Sequence, residues 1–116
     1  MNLLTKKMTG KFIISLSDRE KYQYKLKAKN GQTILLGKGY GTIESCQKDI
    51  SLVKLNVQVE GFLERKIANK LFYFDIKNGN GKTIGTSGIY SSIFAREGGI
   101  QSVKKYASEA LIFIDY

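Results

Sequence analysis

The chain has 116 residues, enough for one domain with a real core but not comfortably for two. Nineteen Lys and Arg against ten Asp and Glu leave a formal charge of +9, and the sequence contains no His, no Pro, no Trp and one Cys. These absences exclude a Ser-His-Asp triad, a Cys-His dyad, a His-ligated metal, an internal disulfide and a four-sulfur zinc site.

Lys11 to Ser17 opens the ordered pattern as a strand, with Phe12, Ile14 and Leu16 on one face. Lys21 to Lys29 alternates more cleanly: Tyr22, Tyr24, Leu26 and Ala28 face one way, while Lys21, Gln23, Lys25, Lys27 and Lys29 face the other. Such period-two alternation belongs to a strand with one buried face. Asn30-Gly31 predicts a two-residue hairpin, since both residues tolerate positive φ, and Gln32 to Leu36 is the returning strand. Thr42 to Leu55 then changes period. Ile43, Cys46, Ile50 and Val53 form one helical stripe, with Thr42 as its N-cap. Val57 to Ile67 reads as a strand whose inward face is open between Phe62 and the set Val57, Val59 and Leu63. Leu71 to Lys77, a turn at Asn80-Gly81, Lys82 to Thr86 and a helix from about Ser92 repeat the plan, and Ala110 to Tyr116 closes it as a strand.

The repetition is literal. At a spacing of fifty, Phe12 meets Phe62, Lys27 meets Lys77, Asn30-Gly31 meets Asn80-Gly81, and Tyr40, Ile50 and Val53 meet Tyr90, Ile100 and Val103. One copy alone leaves too little apolar surface for a stable core. The chain is therefore expected to be a single domain, residues 1–116, built from two repeats of about 10–59 and 60–116. The expected α+β fold is a tandem β-β-β-α arrangement sharing one antiparallel sheet, with both helices on one face and pseudo-twofold symmetry.

Asn80-Gly81-Lys82-Thr83-Ile84-Gly85-Thr86-Ser87, followed by Tyr90-Ser91-Ser92 and by Gly99-Ile100-Gln101-Ser102-Val103-Lys104-Lys105, resembles the YegP-like family of small bacterial proteins. The resemblance covers nearly the whole chain. The first copy departs from the family pattern at Gly37-Lys38-Gly39, at Gly41-Thr42 in place of paired serines, and at Asp49 in place of a helix glycine. It implies a duplicated unit whose closing strands are exchanged between the copies, and it implies no activity, since the family carries a domain of unknown function.

Motifs with chemical reach are few. Gly81-Lys82-Thr83 looks like the end of a phosphate loop, but position 76 is Ile where that loop needs Gly, and the segment lies between strands. Gly37-Lys38-Gly39-Tyr40-Gly41 lacks the third glycine of a dinucleotide fingerprint and reads as a flexible connection. Thr42 and Ser91-Ser92 cap helices, Cys46 lies on a buried stripe, and Asp18 and Glu20 belong to a turn. No catalytic, cofactor or metal residue is expected, and no enzyme.

The basic strand has the most functional reach. Lys21, Lys25, Lys27 and Lys29, with Tyr73 and Lys77 at neighbouring repeat positions, form the candidate polyanion-binding set. Only Arg19, Arg65 and Arg96 among the nineteen basic residues carry the planar fork that favours base readout, so binding is expected to follow backbone charge. The same lysines also serve a sheet that must avoid edge pairing. The functional expectation is a small binding or interaction module, with weak sequence-independent nucleic-acid or polyanion binding as the alternative. Nucleic acid or an acidic protein is the partner class. One thiol, no apolar leader before Lys6-Lys7 and no run of about 20 apolar residues predict a cytoplasmic monomer that does not engage a membrane.

Overall fold

The computed structural model describes residues 10–17 and 19–115. The chain runs β1 (Gly10–Leu16), β2 (Tyr22–Ala28), β3 (Thr33–Tyr40), α1 (Ile43–Asn56), a 3-10 turn at Glu60–Phe62, β4 (Leu63–Ala68), β5 (Leu71–Lys77), β6 (Thr83–Ser87), α2 (Ile93–Glu109) and β7 (Leu111–Asp115). Seven strands form one sheet in the order β4-β5-β6-β3-β2-β1-β7. Both helices lie on one face. Cys46, Ile50 and Val53 of α1 and Ile100, Val103 and Ala107 of α2 are buried with Phe12, Ile14, Tyr24, Leu26, Phe74 and Ile76 of the sheet in one core. Tyr22, on the same inward face, and Phe72 are only half-buried, since both lie near the start of their strands.

The closing strands are exchanged. β4, which follows α1, pairs with β5, and β7, which follows α2, returns to the first half beside β1. That last pair is parallel, so the sheet is mixed and the expectation of a wholly antiparallel sheet is corrected at this edge. The cause is β1, which already takes the antiparallel place next to β2. Lys54 Nζ donates to the Ala110 carbonyl at 2.8 Å, and Asn56 Nδ2 to the Lys77 carbonyl at 2.9 Å, tying the end of α1 to two points of the second repeat.

The turns differ in kind from the prediction. The Gly31 N–H donates to the Ala28 carbonyl and the Ala28 N–H to the Gln32 carbonyl, leaving three loop residues, of which only Gly31 has positive φ (+87°). Asn78 to Lys82 repeats this with Gly81 at +82°. Both are type I turns closed by a glycine bulge, not two-residue turns. The two-residue turn is Asn69-Lys70, at φ +53° and +66°, between β4 and β5. The spacing of fifty also slips by one in the first strand. Phe12 lies opposite Leu26, but Leu63 and not Phe62 lies opposite Ile76. Phe62 ends the 3-10 turn instead, and the shorter β4–β5 turn absorbs the difference. Val57, too, is not in a strand; it caps the C-terminus of α1.

At the seam between halves, Leu36 lies opposite Thr86, its own counterpart fifty residues on, so the pseudo-twofold axis passes there. The pair Leu35–Ser87 forms on one side of the axis; its mate, Gly37 with Gly85, does not. Tyr24 is the reason. Its buried ring stands against Gly37, where a Cβ would collide with it, and its hydroxyl donates to the Ile84 carbonyl at 2.5 Å. Gly37-Lys38-Gly39-Tyr40 is thus the end of β3, held by ring packing, and not a flexible connection.

Candidate polyanion-binding face

Among the described residues, no helix covers the sheet face away from α1 and α2. Alternation from the buried Phe12, Tyr24, Leu26 and Ile76 puts Lys11, Ile13, Lys25, Lys27, Asp75 and Lys77 on it. A β-bulge beside each turn keeps this phase: Ile34 with Leu35, and Ile84 with Gly85, turn two successive residues inward, leaving Thr33, Leu36, Thr83 and Thr86 outward. Register then fixes one row across the molecule: Phe113, Ile13, Lys25, Leu36, Thr86, Asp75, Glu64. The row starts aromatic and basic and ends acidic.

The acidic end is internally neutralised. Lys66 Nζ is 3.1 Å from Asp75, and Lys77 Nζ is 2.8 Å from Glu64. The Asp75 carboxylate, 4% exposed, also accepts from the hydroxyls of Thr86 at 2.8 Å and Thr83 at 3.4 Å. Hydrogen bonding by Lys77 holds the Glu64 carboxyl below its ordinary value, and hydrogen bonding by Asp75 raises the Lys66 ammonium.

Among the described residues, the basic end has no such partners. Lys11 and Lys27 are direct cross-strand neighbours, Lys25 follows on the same face, and Lys38 stands opposite Gln23. Lys21 and Lys29 extend the group at the ends of β2. Among the described residues, none of these lysines lies in an ion pair. Like charges opposite one another on a strand pair oppose folding by a few tenths of a kcal/mol.

Of the expected set, the structure brings together Lys21, Lys25, Lys27 and Lys29. Tyr73 and Lys77 lie on β5, three strand spacings or roughly 14 Å from β2. Tyr73 sits opposite Lys66, and Lys77 is engaged by Glu64. Sequence reasoning missed Lys11 and Phe113. Phe113 is 46% exposed, and the Lys11 ammonium is 5.7 Å from its ring centre. A cavity of about 230 Å³ beside it is lined by Gly10, Lys11, Ala28, Lys29 and Phe113. The alternation of Ile112 and Ile114 toward the core places Phe113 outward, but only the β1–β7 pairing puts it among lysines. A second hollow, about 400 Å³, runs along the seam and is lined by Thr33, Leu36, Thr83 and Thr86 among others.

The remaining polar groups are structural. Arg65 bridges Glu60 and Glu97, the latter at 2.8 Å; Arg96 donates to the Lys66 carbonyl at 3.1 Å and covers the Phe72 ring. Cys46 is buried, and burial, then the Asp49 charge, push its thiol up to about 12. Glu20 is at the β1–β2 turn with φ +58°, and Asp18 lies outside the described residues. Gly81-Lys82-Thr83 is at the β5–β6 turn. No helix among the described residues is long and apolar enough to cross a membrane.

Fold and site together define a tandem-repeat α+β protein with one helix-covered face and one open face of uneven charge. The sequence pattern of the family described as "Domain of unknown function (DUF1508)" matches residues 17–63 and 68–113, and the chain belongs to that family. It is 37% identical over 106 residues to the UPF0339 protein in the ptx operon 5' region of Stutzerimonas stutzeri, covering 90% of this chain and 96% of that one. It is 41% identical over 98 residues to the UPF0339 protein YegP of Escherichia coli K12, covering 84% and 89%. The solution NMR structure of E. coli yegP, a protein of unknown function, superimposes with a TM-score of 0.88 at 35% identity, covering 95% and 96%. That of the UPF0339 protein SO3888 from Shewanella oneidensis does so at 0.86 and 32%, covering 92% of each.

Proposed function

We propose that this chain is a non-catalytic binding module, a cytoplasmic monomer, that holds a nucleic-acid backbone against the lysine half of its open sheet face by charge and without sequence preference. The carrying observation is the cluster of Lys11, Lys25, Lys27 and Lys38 on one sheet surface with no acidic partner among the described residues. Keeping like charges together opposes folding slightly, and a polyanion relieves that cost. Lysine suits the role: it meets phosphate as a point charge, whereas two of the three arginines are engaged on the helix side. A catalytic reading has little to stand on, because the chain lacks His and the Cys46 thiol is buried and protonated at neutral pH.

Titrating a labelled single-stranded oligonucleotide across salt concentrations tests this. Four phosphates neutralised predict a log–log salt slope of roughly −3. Lys25→Glu with Lys27→Glu should abolish binding at low salt while the melting temperature stays within a few degrees. No binding by the wild type, or equal binding by the double variant, overturns the proposal. Tighter binding of polyglutamate at matched charge would transfer the site to an acidic protein.

A further inference from the structure

We infer that the lysine half carries a base-stacking site at Phe113, so that its ligand is single-stranded nucleic acid and neither a duplex nor a bare polyphosphate. This rests on the polyanion reading above and specifies its ligand. A large apolar ring on the lysine side of an edge strand gains nothing from the core: Phe113 is 46% exposed, while its neighbours Ile112 and Ile114 supply the packing of β7. Its surroundings fit a nucleotide's two parts. The Lys11 ammonium stands over the ring, 5.7 Å from its centre, and an unpaired base stacking on Phe113 would move this long flexible side chain onto the base's own phosphate. Lys27 lies directly across from Lys11, and Lys25 across from Ile13, which is itself opposite Phe113, so the next phosphates of an extended strand meet charge along β2. The hollow of about 230 Å³ between Phe113 and Lys29 gives the ring an open approach. A duplex keeps its bases stacked on each other and cannot use the ring; polyphosphate has no base to offer.

The chain contains no Trp, so Phe113→Trp creates a single tryptophan, selectively excited over the tyrosines, at the site. Oligo(dT) should bind this variant as tightly as wild type and quench its emission, and inorganic polyphosphate should bind without quenching. Phe113→Ala and Phe113→Leu should weaken oligo(dT) binding by about 5- to 150-fold, the range expected for one lost base–aromatic stack, and leave polyphosphate binding unchanged. Undiminished oligo(dT) binding by both variants, or no quenching, overturns the stacking site and leaves the charge-based reading standing. If neither oligo(dT) nor polyphosphate binds wild type at low salt, the polyanion reading falls and this site with it.

Discussion

The two halves of the sheet answer the same structural demands with different residues. Where the first half has Tyr40 donating to Asp49 at 2.7 Å, the second packs Tyr90 directly against Gly99 of α2. Where the first seats the Tyr24 ring against Gly37, the second has Phe74, whose N–H donates to the Ser87 hydroxyl at 3.0 Å. On the open face, Lys25 and Lys27 of the first half correspond to Asp75 and Lys77 of the second. Ile13 and Ser15 of β1 hold the places that Glu64 and Lys66 hold in β4. The buried exchanges are volume for volume and hydrogen bond for packing, so the fold is kept. The surface exchanges are not compensated: among the described residues, one half pairs its charges and the other displays them. Duplication kept the scaffold symmetric and let the face become polar from end to end.

Placing one half's residues in the other should therefore fail inside and succeed outside. Gly37→Ser installs the residue found at the counterpart position Ser87, but its Cβ would meet the Tyr24 ring. A loss of about 3 kcal/mol is expected by chemical denaturation, the upper part of the overpacking range. Gly99→Ala gains about 1 kcal/mol of helix propensity and forces the Tyr90 ring aside, for a net loss of about 1–2 kcal/mol. Asp49→Gly, the exchange in the opposite direction, removes the acceptor of Tyr40 and should cost about 1 kcal/mol. If Gly99→Ala proves stabilising, Tyr90 is not held by that glycine.

Acid should separate the halves as well. Hydrogen bonds from Arg65 to Glu60 and Glu97, and from Lys77 to Glu64, hold these carboxyls below their ordinary value of 4.5. A carboxyl lowered in the folded state stabilises fully above its unfolded value, and that contribution is lost as pH falls through the folded one. All three surround β4. Amide exchange in β4 should therefore accelerate as pH drops below about 4.5, relative to intrinsic rates and ahead of β1 and β2. The smallest expected effect is on binding: Glu64→Gln frees Lys77, three strand spacings from β2, and should change oligonucleotide binding at low salt by less than about twofold. A larger gain would bring the second half into the interface.

Much of this asymmetry is absent from local pattern. The spacing of fifty located both hairpins, both helices and their caps, because alternation, helical stripes and Thr42 and Ser92 are local signals. The slip at Phe62 and Leu63 was not legible, since strand register depends on the length of the following turn. The candidate lysines of β2 were readable from alternation alone. Their separation from Tyr73 and Lys77 was not, because strand order places β3 and β6 between them. Nor was Phe113, which joins the lysines only through a strand that returns from the far end of the chain.

The central claim is that an open face made twice binds through one half. Amide chemical-shift mapping of the isotope-labelled chain with oligo(dT) tests it most directly. Shifts should concentrate in β1, β2 and β7, centred on Lys11, Lys25, Lys27 and Phe113, with β4 and β5 nearly silent. Shifts centred on β4 and β5, or on α1 and α2, would contradict it.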